Sequence, residues 1–202
     1  MNRRILLPAA YLPSISWFCA LLQGECLIDL GEHFIKRSER NRARIMTSDG
    51  VMELSVQVAH ANRPHQPMST MQLDYSKRWQ HQHWGALVAA YKASPFFDHY
   101  ALLLEPFYRQ PYASLVEFNL AIIRVLCQAV HLPVPPVSTT YVTADEADWD
   151  LRPKQKSSVF YTEPYIQVFA DRQPFEGNLS FIDLLFAEGP NALQVLKGCR
   201  FE

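Results

Sequence analysis

The sequence predicts a mixed α/β fold (α+β), in which a central run of about three helices lies between two parts that contain short mixed strands. Three observations predict it. Apolar residues recur at helical spacing in the middle of the chain, alternate with polar residues after Gly50, and form short runs bounded by turn residues near both ends. With 202 residues, of which 49% are hydrophobic and 19% charged, the chain can bury one substantial core. We therefore predict a single domain over residues 1–202.

The N-terminal part is predicted to contain a short helix over residues 14–22, a buried strand over 26–30 and a β-hairpin. In the hairpin, residues 44–46 and 51–58 flank the turn sequence Ser48-Asp49-Gly50. Asp-Gly is typical of such turns because glycine adopts the left-handed backbone conformation at little steric cost.

The central helices are predicted over three segments, 79–92, 95–108 and 114–131. The first is expected to end before Pro95, because a proline disfavours helical geometry in the residue before it. Pro106 is expected to limit the second. Ser114 and Glu117 have the spacing of a capping box, which places the start of the third helix.

The C-terminal part is predicted to begin with an exposed connection over about 143–158, which changes from acidic to basic and has few apolar residues. Short strands are then expected over 159–161 and 165–169. A helix is expected over 180–187, and a last helix from Pro190 to Gly198, since proline is tolerated in a first turn and glycine ends helices.

Composition excludes several functional classes. The 19 basic and 20 acidic residues give a net charge of -1, which argues against a nucleic-acid partner. The four cysteines form no CxxC pair, so we predict buried free thiols and no metal site. No cofactor motif is present, and no cofactor is predicted. The apolar run near the start is cut by Pro8 and Pro13, and no run is long enough to span a membrane, so we predict a cytoplasmic protein.

The segment 34–45 concentrates positive charge, with five basic residues and one acid in a chain whose net charge is -1. If the segment is extended, alternation along the strand projects Lys36, Arg42 and Arg44 to one side, together with Arg40. If it is helical, Lys36, Arg40 and Arg44 share one face. Arginine forks suit carboxylate or phosphate groups, and Asn41 adds a donor and an acceptor among them. The alternative is a solvated basic edge whose charges pair with acids of the chain itself. Within the segment, Arg37 and Arg40 are expected to be solvated.

A second candidate is His83, in the sequence Trp79 to Trp84 at the start of the first central helix. Its neighbour His81 is two residues away and points elsewhere on a helix, so the pair is a weak metal signal. Because imidazole titrates near neutrality, His83 is a candidate general base. The alternative is a core histidine satisfied by a hydrogen bond.

A third candidate is Asp183, which lies inside the apolar run Leu179 to Phe186. An unpaired carboxylate there would be costly, so we predict that it pairs with Arg42 or Arg44. Its simpler role is helix-start chemistry, shared with Ser180.

Taken in order, these motifs resemble the WbqC-like protein family over nearly the whole chain. The matching pieces are Tyr11 to Phe18, Phe34 to Lys36, Asn41 to Ile45 with Gly50, His83-Trp84, Tyr91, Ser94 to Phe97 with Tyr100, Phe118-Asn119, Pro164-Tyr165, Gln167 to Phe169, and Leu179 to Phe186 with Gly189. Two pieces differ. The chain lacks the YxSG-type segment of longer relatives, and it has Ala10-Tyr-Leu-Pro where many relatives have Gln-Pro-x-Tyr-Phe-Pro.

The resemblance implies a role in surface-polysaccharide (O-antigen) biosynthesis, with acyl or aminoacyl transfer, such as glycine transfer, onto a nucleotide- or lipid-linked sugar. It implies His83 as the catalytic residue. The implied substrate-binding residues are Lys36, Asn41, Arg42, Arg44, Tyr91, Asn119, Gln167 and Asp183. The implied partner is an anionic small molecule, either a nucleotide sugar or an activated amino acid. The alternatives are a non-catalytic module that binds a small anion, and an interaction protein in a polysaccharide assembly complex.

Overall fold

The computed structural model of the protein describes residues 4–59, 65–145, 148–153 and 159–201. The strands are β1 (Arg4–Pro8), β2 (Glu25–Asp29), β3 (Arg42–Thr47), β4 (Gly50–Ser55), β5 (Val137–Ser138), β6 (Trp149–Asp150), β7 (Phe160–Tyr161) and β8 (Arg200–Phe201). The helices are α1 (Ile15–Ala20), α2 (Trp79–Tyr91), α3 (Phe97–Arg109), α4 (Leu115–Ala129), α5 (Phe181–Glu188) and α6 (Ala192–Gly198). The predicted mixed α/β class is confirmed.

A parallel sheet with the strand order β5-β2-β1-β6 forms the centre of the fold. Along β1 and β2 the register runs from Arg4 opposite Glu25 to Pro8 opposite Asp29. The middle of β1 is fully buried, because the strand lies between neighbours and is covered on both faces. Its apolar run does not alternate with polar residues, so the sequence pattern did not distinguish it from other buried segments.

The path of the chain through this sheet has one reversal. From β1 the chain moves outward to β2 and then to β5, and it next returns across the sheet to pair β6 with the other side of β1. The connection from β1 to β2 therefore runs to one side of β1, and the connection from β5 to β6 runs to the other side. In open α/β sheets, the carboxyl ends of the strands at such a switch point form a crevice where ligands bind.

The three predicted central helices are present as α2, α3 and α4, and α3 packs against both of the others. The side chain of Ser114 accepts a hydrogen bond from the Glu117 backbone at 3.1 Å, which is the predicted cap. Helix α3 ends at Arg109, one residue beyond the predicted end at Tyr108, and Pro106 lies in its last turn. The carbonyl that loses its partner belongs to Leu102, which is exposed, so water replaces the missing N–H. None of the helices in the described ranges is long and apolar enough to cross a bilayer.

The remaining elements frame the sheet. The antiparallel hairpin β3–β4 has its turn at the predicted place, between Thr47 and Gly50. Helices α5 and α6 pack on α1, where the rings of Phe18 and Phe181 stack with centroids 4.0 Å apart. The strand predicted over 165–169 is wrong, since that segment leads into turns.

The predicted exposed connection over 143–158 needs correction. Its residues Trp149 and Asp150 form β6, and the next two residues, Leu151 and Arg152, are buried. Residues 146–147 and 154–158 of that connection lie outside the described part of the chain. The sequence pattern misled because the strand is two residues long and its flanks are charged.

A glycine substitution tests the packing at the end of β2. A Cβ on Gly31 would lie 1.9 Å from the Tyr141 backbone nitrogen, so Gly31→Ala must displace main chain. We expect it to lower the free energy of unfolding by about 3 kcal/mol or more. Gly85→Ala is the matched control: its Cβ would meet nothing within 4 Å, and it lies inside α2.

For Gly85→Ala we expect a gain of about 0.5–1 kcal/mol, because alanine is the better helix former. Urea unfolding of both variants measures the two effects. Equal stability of Gly31→Ala and the wild-type protein would contradict the close approach of the two segments.

Candidate functional site

A buried network of arginines and carboxylates lies at the carboxyl ends of the parallel strands. Asp29 ends β2 and Asp150 ends β6, and Arg152 reaches both. Arg152 donates from Nε and Nη2 to the two Asp150 carboxylate oxygens at 2.8 and 2.7 Å, and from Nη1 to the Val142 carbonyl at 2.7 Å and to Asp29. This fork-to-fork geometry fixes the guanidinium plane.

The second arginine of the network is Arg40, whose side chain is only 1% exposed. Its Nε donates to Glu32 at 2.9 Å, its Nη2 pairs with the other oxygen of that carboxylate, and Nη2 also donates to the Arg152 carbonyl at 2.9 Å. The expectation that Arg40 is solvated is therefore wrong. Asn119, on α4, donates from its amide to the Arg40 and Ala9 carbonyls at 2.7 and 2.8 Å, which ties the network to the helical layer.

Burial and pairing act against each other on these groups. Burial would lower the pKa of Arg152, but its hydrogen bonds and ion pairs with Asp150 and Asp29 raise the pKa above its usual value. For Asp150, burial alone would raise the pKa, and the bonds from Arg152 lower it. Burial raises the pKa of Glu32 to about 7, against the pull of Arg40.

A cleft opens above this network, and we name it the switch-point cleft. Its large lobe, of about 200 Å³, is lined by Pro8, Arg37, Ser38, Glu39, Arg40, Arg42, Arg44, Glu53, Leu151, Arg152 and Pro153. Its small lobe, of about 90 Å³, is lined by Leu12, Ser14, Glu39, Arg42, Ala43, Arg44, Asn178 and Ser180. The two lobes share Glu39, Arg42 and Arg44 as a common wall.

Topology and backbone strain both mark this cleft. Pro8 ends β1 and Leu151 follows β6, so the large lobe lies at the β1–β6 reversal. Five non-glycine residues of the described chain have positive φ, and three of them, Leu12 (41°), Arg37 (55°) and Asn178 (53°), line the cleft. A leucine in the left-handed region is an outlier, and such strain concentrates at functional sites.

Arg42 and Arg44 project from the same side of β3 into both lobes, as the sequence predicted for this pair. Arg42 is paired with Glu53 of β4, and Arg44 with Glu176. The Nε atom of Arg42 is buried and has no hydrogen-bond acceptor among the described residues. A buried donor without an acceptor is costly, so an anion that supplied one would be stabilised here.

Asp183 does not pair with either arginine, so that prediction is wrong. Its carboxylate accepts hydrogen bonds from the hydroxyls of Tyr91 and Tyr165 at 2.7 and 2.6 Å and from Gln167 at 3.3 Å. Burial raises the pKa of Asp183, and these three bonds oppose the shift. Tyr91 also accepts from the Met46 backbone at 3.1 Å, so the cluster joins α2, β3 and α5.

Gln167 connects the Asp183 cluster to the wall of the cleft. Its side-chain amide donates to the Glu176 carbonyl at 2.9 Å and accepts from the Glu176 backbone nitrogen at 3.0 Å. Both polar groups of Glu176's main chain are thus held, and its carboxylate holds Arg44. Asp183 and Gln167 do not line the cleft, and hydrogen bonds through Glu176 connect them to its wall.

His83 lies in the core, and neither lobe of the cleft includes it. Its Nδ1 atom is 2.8 Å from the Tyr11 hydroxyl, which is itself 2.9 Å from the Tyr108 hydroxyl, and Trp79 packs edge-on against the ring. Burial lowers the pKa of His83 to about 4, against a hydrogen bond with the Ser55 backbone. The imidazole is therefore neutral at pH 7, and the general-base role stays a prediction from the motif.

The other predicted site residues lie outside the lining. Lys36 is exposed, and Asn41 is buried, where its amide donates to the Val56 carbonyl at 3.2 Å. Sequence reasoning missed several residues of the site. These are Asp29, Glu32, Glu39, Arg40, Asp150 and Arg152. Asp29, which directly follows the apolar residues Leu27 and Ile28, was the available signal, whereas Asp150 follows Asp148 and Trp149 and offered none.

The fold and the cleft define an α/β protein with an arginine-lined crevice at the switch point of a parallel sheet. The chain belongs to the WbqC-like protein family, whose profile matches residues 9–160 of the 202. The match includes both arginines of the buried network and the arginines of β3.

One relative extends the likeness to the full chain. The uncharacterised protein Rv1507c of Mycobacterium tuberculosis is 24% identical over 231 aligned positions, which cover 99% of this chain and 100% of the relative. No solved structure matches the chain.

The neutral state of His83 predicts a pH-dependent stability. The pKa of His83 is lower in the folded chain than the ordinary value near 6.5, so the unfolded chain binds the extra proton and stability is lost as the pH falls toward 4. Between pH 7 and pH 5 the loss is about 2 kcal/mol. His83→Asn keeps an acceptor near Tyr11 and does not titrate. It should therefore remove this contribution to the pH dependence of the free energy of unfolding.

Urea unfolding at both pH values measures the difference between the wild-type and His83→Asn proteins. The raised pKa of Glu32 acts in the opposite direction over the same range, so only the difference between the two proteins is diagnostic. Identical slopes would show that His83 is not the buried neutral group described above.

The strained residue Arg37 predicts a gain in stability on substitution. Arg37 is exposed and has φ of 55°, a conformation that glycine adopts without strain. Arg37→Gly should therefore raise the free energy of unfolding by about 0.5–1 kcal/mol. The same change at Arg124, an exposed position inside α4, should lower it by about 1 kcal/mol. Thermal unfolding compares them, and destabilisation by both would refute the strain.

Proposed function

We propose that the chain binds a phosphorylated small molecule of the sugar-nucleotide class in the switch-point cleft. We propose further that the cleft is the substrate site of an enzyme that transfers an acyl or aminoacyl group to the sugar in surface-polysaccharide biosynthesis. This activity belongs in the cytoplasm, and the four cysteines, none of which is disulfide-bonded, are compatible with that compartment.

One observation supports phosphate binding above the others: Arg42 and Arg44 enter both lobes at the carboxyl edge of the sheet. Arg37 adds an exposed cation that has no carboxylate partner among the described residues. Three guanidinium groups that reach one crevice suit a phosphate or diphosphate, because each can donate two parallel hydrogen bonds to its oxygens.

The chemistry of the two lobes favours a ligand with an anionic end and a neutral polar end. The large lobe is lined by most of the arginines. The small lobe adds the side chains of Ser14, Asn178 and Ser180, which are uncharged donors and acceptors. Sugar hydroxyls are bound by groups of this kind. The shared wall would then lie at the junction between phosphate and sugar.

Glu39 is the residue best placed to move a proton. It lines both lobes, and its Oε1 atom accepts from the Ser14 hydroxyl at 3.3 Å. In the proposed step, a sugar hydroxyl or amine gives its proton to Glu39 and forms a bond to the carbonyl carbon of an acyl phosphate or acyl adenylate. The bond from that carbon to the phosphate oxygen breaks, and the phosphate or AMP leaves with the electron pair. His83 is left out of this step, since its ring lies among Tyr11 and Trp79 in the core.

A binding experiment tests the first part of the proposal. UDP-N-acetylglucosamine should bind the wild-type protein, and Arg42→Ala or Arg44→Ala should each weaken binding by about 10-fold or more, since charge-assisted hydrogen bonds are lost. Isothermal titration calorimetry measures the change. Arg109→Ala is the matched control, because this substitution also removes one positive charge. Arg109 pairs with Glu105 on α3 and does not line the cleft.

The outcomes separate specific from general effects. An equal loss of affinity in Arg109→Ala would show that the effect comes from net charge alone. Absence of binding by the wild-type protein would overturn the proposal. Glu39→Gln distinguishes the enzyme from a non-catalytic binding module: it should retain binding and lose acyl transfer. Unchanged transfer in that variant would remove Glu39 from the mechanism.

A further inference from the structure

The two arginines shared by the lobes are held by carboxylates of the chain itself. Arg42 and Arg44 are two residues apart on β3, and Glu53 lies directly opposite Arg44 on β4. The Glu53 carboxylate nevertheless pairs with Arg42, and Glu176 pairs with Arg44. Glu53 therefore adjoins both cations, and it lines the large lobe with them.

Such pairs are weak and exchangeable. All four side chains are partly or largely exposed, and exposed ion pairs hold their partners by a small free energy at physiological salt. A phosphate can approach two guanidinium groups at once and can accept from several of their N–H groups. It can also supply an acceptor to the Arg42 Nε atom, which Glu53 leaves unpaired. Replacement of the Glu53 carboxylate by a phosphate is therefore favourable, because the phosphate accepts more hydrogen bonds from the two arginines.

We infer that Glu53 is a built-in competitor for the ligand: its carboxylate pairs with Arg42 and leaves that position when a phosphate binds there. The inference rests on the proposed function, because it assigns the site to the same phosphate-bearing ligand. Glu53 is thereby the residue that sets the affinity of the cleft. Its place on β4, where its side chain is 45% exposed, lets the displaced carboxylate turn to solvent.

Glu53 could instead support binding, and the two roles predict opposite changes in phosphate affinity when its charge is removed. If its only task were to hold Arg42 in a binding-competent position, removal of the charge would loosen the arginine and weaken binding. If Glu53 competes, removal of the charge frees Arg42 and strengthens binding. The sign of the change therefore decides between the two roles.

Glu53→Gln keeps the size of the side chain and removes its charge. We expect this variant to bind inorganic pyrophosphate about 2-fold to 5-fold more tightly than the wild-type protein at fixed ionic strength, as the loss of one exposed ion pair allows. Glu105→Gln is the matched control, since this substitution also removes one negative charge. Glu105 pairs with Arg109 on α3 and does not line the cleft. Its affinity should stay unchanged. Isothermal titration calorimetry of the full chain gives all three affinities.

The outcomes separate this inference from the proposed function. Weaker or unchanged binding by Glu53→Gln, with clear binding by the wild-type protein, would overturn the competitor role and leave the anion site standing. Equal tightening in Glu105→Gln would also overturn it, because the effect would then come from net charge. Absence of binding in the wild-type protein and in Glu53→Gln would overturn the proposed function itself. Unfolding curves of both variants confirm that each is folded.

Discussion

The ion pairs of Arg40 and Arg152 are the interaction on which the rest of the site depends. Two buried guanidinium groups are stable only because carboxylates from the ends of β2 and β6 and from the following loop meet them in bidentate geometry. Replacement of one partner would leave a buried charge unpaired, which costs about 3–5 kcal/mol in comparable cases. The network thus fixes where the strands end relative to one another.

That constraint also explains where the cleft lies. The loop from Glu32 to Arg40 is folded back over the end of β1, with Asn119 holding its carbonyl, and this places Arg37 at the edge of the crevice in a strained backbone conformation. Arg42 and Arg44 follow directly on β3. The charge that looks anomalous in the sequence is therefore divided between two tasks. Arg40 organises the sheet ends, and its neighbours line the crevice above them.

The sequence predicted the helices and the hairpin well, because their periodicity and caps are local. It missed β1 and β6 for physical reasons. Strand β1 is a continuous apolar run buried on both faces, and β6 has only two residues, which are held by pairing with β1 and by contacts with distant residues such as Phe201. Since the parallel sheet depends on these strands, neither its switch point nor the burial of Arg152 followed from local pattern.

The candidate site was predicted in part for the same reason. Arg42 and Arg44 line the cleft because strand alternation is a local rule. Asp183 pairs with tyrosines because the fold places Tyr91 and Tyr165 beside it, whereas the cations that local reasoning offered are taken by Glu53 and Glu176. Partner choice among buried polar groups depends on tertiary position, which short motifs do not encode.

A crystal structure of the chain grown with UDP-N-acetylglucosamine tests most directly whether the switch-point cleft is the ligand site. The account predicts density for the diphosphate between Arg37, Arg42 and Arg44, with the sugar toward Ser14 and Asn178 and with Glu53 turned to solvent. A ligand bound elsewhere on the molecule, with this cleft unchanged, would contradict it.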